Sequence, residues 1–255
     1  MTWSAVQYTK FERERNRPIH DLLAQIPTAH VRNAIDLGCG PGNSTELLTR
    51  RFPDAAIAGI DNSDDMILAA RKRLPGVRFD LADIAAWSDP GPYDVILANA
   101  ALQWLPDHAL LLPELMAKLA PGGSLAVQMP DNLDEPAHRL MRDVAAEGPW
   151  SDKLAAAAVS RAPRHEEAWY YAVLSGVASG LDIWRTTYLH ALPGGASAVV
   201  EWFKGSGLRP FLEPLDEFER ATFLVRYEDA VAKSYPVVDG NVLLPFPRLF
   251  FVAVR

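Results

Sequence analysis

The chain has 255 residues, 49% hydrophobic and 22% charged, with a formal net charge of -7 and one cysteine. That composition excludes a disordered chain, a collagen-like repeat and a disulfide scaffold, and it lacks the basic footprint of a nucleic-acid binder. No uncharged stretch reaches the roughly 18 residues of a membrane span. The polar N-terminus and the lone Cys39 point to a cytoplasmic protein without a secretory signal.

From the N-terminus, Asn16-Arg17-Pro18 opens a helix with Pro18 in its first turn and Ile19, Leu22, Leu23 and Ile26 on one face. A short apolar strand at 34–37 runs into a glycine turn, and a helix over 44–52 follows. A second strand at 55–60 leads to a helix over 63–74 with Ser63 as its N-cap. Strands at 77–79 and 93–98 precede a helix over 108–119, which Pro121-Gly122-Gly123 stops. A further strand covers 124–129. Apolar strands without polar alternation, separated by helices, define an α/β fold with a doubly wound, mostly parallel sheet.

The pattern changes after residue 130. Helices are expected at 135–147, 166–177, 197–205 and 217–234. A strand at 182–190 carries Trp184, Thr186 and Tyr188 on one face, and a last apolar strand covers 249–254. A helical lobe, approximately 133–180 and 193–246, is therefore expected over the sheet of a single domain.

Chemistry enters at the first strand–helix turn. Asp36-Leu37-Gly38-Cys39-Gly40-Pro41-Gly42-Asn43 has the context of a nucleotide-type site at the carboxyl end of a parallel sheet. Its glycines let the backbone turn sharply and approach a ligand. The dinucleotide fingerprint fits poorly, because position 43 is Asn and the third glycine is Gly42. Asp61, at the end of the second strand, is placed to accept hydrogen bonds from ribose hydroxyls.

These residues resemble the motifs of S-adenosylmethionine-dependent methyltransferases. Asp36 to Gly42 is similar to their glycine motif, and Gly59-Ile60-Asp61-Asn62-Ser63 to their second motif. Ala82-Asp83-Ile84 is similar to their adenine-side acidic loop, and Leu119-Ala120-Pro121-Gly122-Gly123 to a later turn. The resemblance implies a seven-stranded Rossmann-like sheet with an antiparallel last strand. It implies S-adenosyl-L-methionine as cofactor and S-adenosyl-L-homocysteine as product. It assigns Asp36 and the Gly38 backbone to the methionine ammonium, with Gly40 and Gly42 in the same turn. Asp61, with Asn62 beside it, would take the ribose, and Met66 or Ile60 would flank the adenine. Asp83 and the Ile84 N–H would meet the adenine, and Asn99 the methionine portion. Ala100 and Leu102 would line the methyl channel.

The acceptor is read separately. A carboxylate, with a reference pKa near ~4, is already ionised at neutral pH and needs no general base. His108 could serve as a base or be a surface histidine at a helix start. The lobe carries Arg139, Arg142, Arg161, Arg164, Arg209 and Arg226, which could converge with His138, His165 and His190 on an anion. Arg185 stands out, because an arginine in an aromatic strand wants a partner. The stretches Asn99-Ala100-Ala101-Leu102-Gln103-Trp104-Leu105-Pro106-Asp107-His108, Gln128-Met129-Pro130-Asp131-Asn132, Asp182-Ile183-Trp184-Arg185-Thr186-Thr187-Tyr188 and Pro247-Arg248-Leu249-Phe250 resemble the bacterial trans-aconitate 2-methyltransferase family. So does the opening that runs from Tyr8 through Phe11, Glu14 and Arg15 to Pro18.

This resemblance implies monomethyl esterification of a small polycarboxylate, trans-aconitate, with neither metal nor nucleic acid nor membrane involved. Gln103, Trp104 and Arg185 are its positioning candidates. Arg15, Trp104, Asn132, Tyr170, Tyr171, Arg185 and Arg248 are candidate substrate contacts. Trp104 could equally pack in the core, and Tyr8, Phe11 and Arg15 could form a lid or a docked helix. Rival readings are methyl transfer to another small acid or hydroxyl and a non-catalytic cofactor-binding protein. The missing third glycine argues against a nicotinamide dehydrogenase. Asn99-Ala100-Ala101-Leu102, without a proline, argues against transfer to a DNA adenine.

Overall fold

The computed structural model describes residues 11–159 and 164–255. Tyr8 and Arg161 lie outside the described residues. Eight strands are present among them: β1 (Asn33–Leu37), β2 (Ala56–Asp61), β3 (Arg78–Leu81), β4 (Tyr93–Asn99), β5 (Leu119–Pro130), β6 (Gly180–Pro193), β7 (Val237–Val238) and β8 (Asn241–Val254). Their order is β3-β2-β1-β4-β5-β8-β6, with the two-residue β7 paired to β8 off this path. The pairs β1·β2, β1·β4, β2·β3 and β4·β5 are parallel. β8 runs against β5: the Gly122 N–H donates to the Arg255 carbonyl at 3.0 Å, and the Asp131 N–H to the Pro247 carbonyl at 2.9 Å. The expected seven-stranded sheet with an antiparallel last strand is therefore present, with β7 as a small addition.

The central strands are apolar because both faces are covered. Val95, Ile96, Leu97 and Ala98 of β4 and Leu125, Ala126 and Val127 of β5 are all fully buried. β6 alternates instead: Tyr188, His190 and Leu192 are buried, while Arg185, Thr187 and Leu189 are exposed. Trp184 stacks on Phe250 at 4.9 Å.

The chain divides into two compact units. One comprises Met1–Pro130, Arg164–Thr186 and Leu249–Arg255; the other comprises Asp131–Pro163 and Thr187–Arg248. The helix Glu167–Leu174 was expected in the lobe but belongs to the sheet unit. Its Tyr170 and Leu174 share one buried core with Leu112, Leu115 and Met116 of the helix His108–Ala117. In the second unit, Tyr227 and Tyr235 satisfy the backbone of Ala137 near the start of the helix Pro136–Glu147. The Tyr227 hydroxyl donates to its carbonyl at 3.1 Å, and the Tyr235 hydroxyl accepts from its N–H at 3.0 Å. Asp216 and Glu219 close a capping box on the helix Glu217–Ser234.

Three local expectations are corrected. The first described helix is Glu12–Ala24, and Pro18 sits inside it rather than in its first turn. The missing N–H costs about 3 kcal/mol; burial of Ile19, Leu22 and Leu23 on the same helix opposes that cost. Pro121-Gly122-Gly123 lies within β5 rather than between elements: the register jumps from Tyr93↔Leu119 to Val95↔Ser124, an irregularity that absorbs the extra residues. Ser63 occupies the N-cap position, but its hydroxyl makes no capping hydrogen bond.

Candidate active site

β1 lies between β2 and β4, and the chain leaves its carboxyl end through the glycine turn. The Gly38 and Cys39 N–H groups both donate to the Ile60 carbonyl, at 2.8 and 2.9 Å, which ties the turn to β2. Gly38 has φ 69°, and a Cβ there would stand 2.5 Å from the Cβ of Ala101. Gly42 has φ 85° and begins the helix Asn43–Arg51, with the backbone of Ala70 at 3.2 Å from any added Cβ. Both positions combine a left-handed backbone with a close neighbour, so only glycine fits.

Asp36 is fully buried on β1. Its Oδ2 accepts from the Ser44 and Thr45 hydroxyls, each at 2.7 Å, while its Oδ1 is buried without a partner. Burial pushes this carboxyl up to about 6; the two hydroxyls pull it down, and the nearby Asp61 charge adds a smaller upward push. Asp61 accepts the Gly40 N–H at 2.9 Å and the Ser63 N–H at 3.0 Å. Burial raises its pKa too, against those backbone bonds. Asn62 beside it is exposed, while Ile60 and Met66 are buried. Asp83 is exposed and accepts the Ala85 N–H at 2.9 Å, capping the short turn Ile84–Ala86. The Ile84 side chain reaches to 3.6 Å from the position of a Gly38 Cβ, so this turn adjoins the glycine loop.

β4 delivers Asn99, which is buried with its side-chain oxygen unpartnered. The next residue, Ala100, has φ 54°. The Gln103 amide donates to the Ala100 carbonyl at 2.6 Å, which leaves its own buried oxygen without a partner. Trp104 is 40% exposed, so the core-packing alternative does not hold. Leu102 is fully buried among Leu112, Leu115 and Met116 rather than lining a channel. His108 is no surface histidine. It is buried, with Nε2 at 2.8 Å from the Leu102 carbonyl and Nδ1 at 2.9 Å from the Tyr170 hydroxyl.

The other candidates are placed less uniformly. Tyr170 is fully buried, which removes it as an open substrate contact, whereas Tyr171 is exposed. Arg185 meets Glu166 at 3.3 Å and also pairs with Glu167, so the chain itself supplies the partner its strand position called for. Arg15 is buried on the first helix; Asn132 and Arg248 are buried in the second unit, where Arg248 lies over the Phe246 ring at 4.7 Å. Arg142 donates to the Leu133 carbonyl at 2.9 Å, and Arg226 lies over Trp150 at 5.4 Å, so these two guanidinia have local contacts. Sequence reasoning missed the ties between the first helix and the glycine loop. Asn43 donates to Asn16 at 2.7 Å, and Arg73 donates to both Glu12 oxygens, at 2.8 and 2.7 Å. Nothing in the local pattern marks pairs separated by 27 and 61 residues.

A sheet of this order, with a buried acid entering a glycine turn at β1 and a second acid closing β2, defines a Rossmann-like S-adenosylmethionine-dependent methyltransferase. Residues 34–123 match the family model described as a methyltransferase domain. Two solved structures share the fold. YcgJ protein from Bacillus subtilis has a TM-score of 0.59 and 13% identity, covering 92% of this chain and 98% of that one. Haemonchus contortus phosphoethanolamine N-methyltransferase 2, in complex with S-adenosyl-L-methionine, has a TM-score of 0.56 and 14% identity, covering 93% of this chain and 52% of that one. The trans-aconitate 2-methyltransferase of Methylobacterium nodulans is 58% identical over 99% of this chain and 98% of its own length. Those of Rhodopseudomonas palustris and Rhizobium meliloti are 54% and 50% identical, each over at least 99% of both chains. The chain belongs to the trans-aconitate 2-methyltransferase family.

Proposed function

We propose that this protein esterifies one carboxylate of trans-aconitate with the methyl group of S-adenosyl-L-methionine. The observation that carries the acceptor is kinship at 58% identity along 99% of the chain, far outside the matched segment 34–123. Identity confined to the cofactor module would support methyl transfer alone.

The residues fit the cofactor by their unmet capacity. The unpartnered, buried Asp36 Oδ1 and Asn99 Oδ1 suit an ammonium, which only donates. Asp61 keeps lone pairs for ribose hydroxyls beyond its bonds to backbone N–H groups. Asp83 and the Ile84 N–H are assigned to the adenine edge. Gly38 and Gly42, which have no room for side chains, let the backbone pass close by. When bound, S-adenosyl-L-methionine supplies an electrophilic methyl carbon.

The chain's own work is then orientation and exclusion of water, because an in-line displacement by an ionised carboxylate requires no proton transfer. Asp36 and Asp61 hold one reactant, and Gln103 and Trp104 on the turn after β4 face the other. His108 is not used as a base: both ring nitrogens are engaged, and burial holds its pKa below the usual histidine range.

The test is incubation with methyl-labelled S-adenosyl-L-methionine and trans-aconitate, cis-aconitate, isocitrate or citrate in parallel, scored by base-labile methanol. Release with trans-aconitate above the other acids is the expected result. No release with any acid, while S-adenosyl-L-homocysteine still binds, overturns the acceptor and leaves the cofactor site standing.

A further inference from the structure

The segment between β4 and the helix His108–Ala117 is short and strained. Two of its residues other than glycine have positive φ, Ala100 at 54° and Asp107 at 57°. Such backbone costs about 1–2 kcal/mol per residue and persists only where the surroundings hold it. Two side chains do so. Gln103 donates to the Ala100 carbonyl at the start of the segment, and His108 binds the Leu102 carbonyl from its end.

The direction of the hydrogen bonds at His108 follows from chemistry. A carbonyl only accepts, so Nε2 carries the proton and donates to Leu102. Nδ1 is then the acceptor, and the Tyr170 hydroxyl donates to it at 2.9 Å. Tyr170 is itself fixed: it is fully buried, stacks on Phe251 at 5.6 Å and meets the Trp169 ring edge-on at 5.2 Å. The imidazole is thus locked in one tautomer by a tyrosine 62 residues away.

We infer that Tyr170 and His108 form a positioning relay, which sets the turn Leu102–Trp104 and so aims Gln103 and Trp104 at the acceptor. Neither residue of the relay touches substrate. The inference rests on the reading of this turn as the acceptor wall. Its physical content is narrower: the Tyr170 hydroxyl fixes the ring, the ring fixes the Leu102 carbonyl, and the carbonyl fixes the turn.

Three variants test it. Tyr170→Phe removes one oxygen and keeps the ring packing. His108→Leu removes both hydrogen bonds. His108→Gln keeps a donor that can reach the Leu102 carbonyl. Tyr170→Phe and His108→Leu are expected to lower kcat/KM for trans-aconitate by about tenfold or more, with the Kd for S-adenosyl-L-homocysteine within about twofold of the parent. His108→Gln should recover most of the loss. In parallel, the Trp104 indole N–H resonance, assigned by its disappearance in Trp104→Phe, should move in Tyr170→Phe. An unmoved Trp104 resonance overturns the relay, whatever the activity. So does an unchanged kcat/KM, or a cofactor Kd that weakens as much as kcat/KM falls. A parent protein inert toward trans-aconitate, with the Trp104 resonance still moving in Tyr170→Phe, overturns the acceptor reading and leaves the relay in place.

Discussion

At the scale of single residues, Asp36 works against the unliganded chain. A carboxylate whose native value is about 6, against an ordinary 3.8, binds more protons folded than unfolded. Its contribution to stability is therefore lost as pH rises from about 4 through 6. Asp36→Asn keeps an acceptor for Ser44 and Thr45 without the buried charge. The variant should melt at or above the parent temperature, with a larger advantage at pH 7.5 than at pH 5, while its Kd for S-adenosyl-L-homocysteine rises about tenfold or more. Differential scanning fluorimetry and calorimetric titration read the two halves. The glycine turn gives a second contrast. Gly38→Ala meets the Ala101 Cβ at 2.5 Å and keeps an unfavourable φ, whereas Gly40→Ala has open space and carries only the strain of φ 55°. Urea denaturation should place the first about 2–4 kcal/mol below the parent and the second about 1 kcal/mol.

At the scale of elements, the capping box of the helix Glu217–Ser234 satisfies two end groups at once. Asp216→Ala should cost about 1 kcal/mol in thermal unfolding, and Glu219→Ala should cost less, since only Asp216 caps an orphan N–H of the helix proper. The same elements mark what a sequence discloses. The glycine turn was legible because its residues are contiguous and the constraint is local: a sharp exit from β1, then a helix start. The strand alternation of β6 was legible for the same reason. The helix Glu167–Leu174 was misassigned because its aromatic content looks alike in a lobe or against a sheet, and only long-range packing with the helix His108–Ala117 decides. The ion pairs of Arg185 were not legible, because Glu166 and Glu167 lie beyond any strand or helix period from it. The local pattern leaves His108 open as a base or a surface histidine at a helix start; the contact with Tyr170, from elsewhere in the chain, decides against both.

At the scale of the whole molecule, charge and ligand couple. Asp36 is protonated below about 6 and ceases to attract an ammonium, so S-adenosyl-L-homocysteine should raise the melting temperature more at pH 7.5 than at pH 5.5. An equal shift at both values would detach Asp36 from the ligand. The first helix, bound through Glu12 and Asn16 to residues beside the glycine loop, belongs to the same cooperative body as the cofactor site. A thermal shift on binding should therefore register in it as slowed amide exchange.

The placement of β8 also has a meaning in time. It stands between β5 and β6 in space but follows both in the chain. On the ribosome, β5 and β6 are both made before the strand that joins them. At about 5–20 residues per second, several seconds pass before the missing strand is available. Throughout that interval the nascent chain exposes two hydrogen-bonding edges on an apolar sheet, the template on which chains stick to one another. How much of this protein a cell recovers thus depends on how well those edges are shielded during synthesis, and heat or slowed translation between β6 and β8 should reduce the yield before they touch the finished fold.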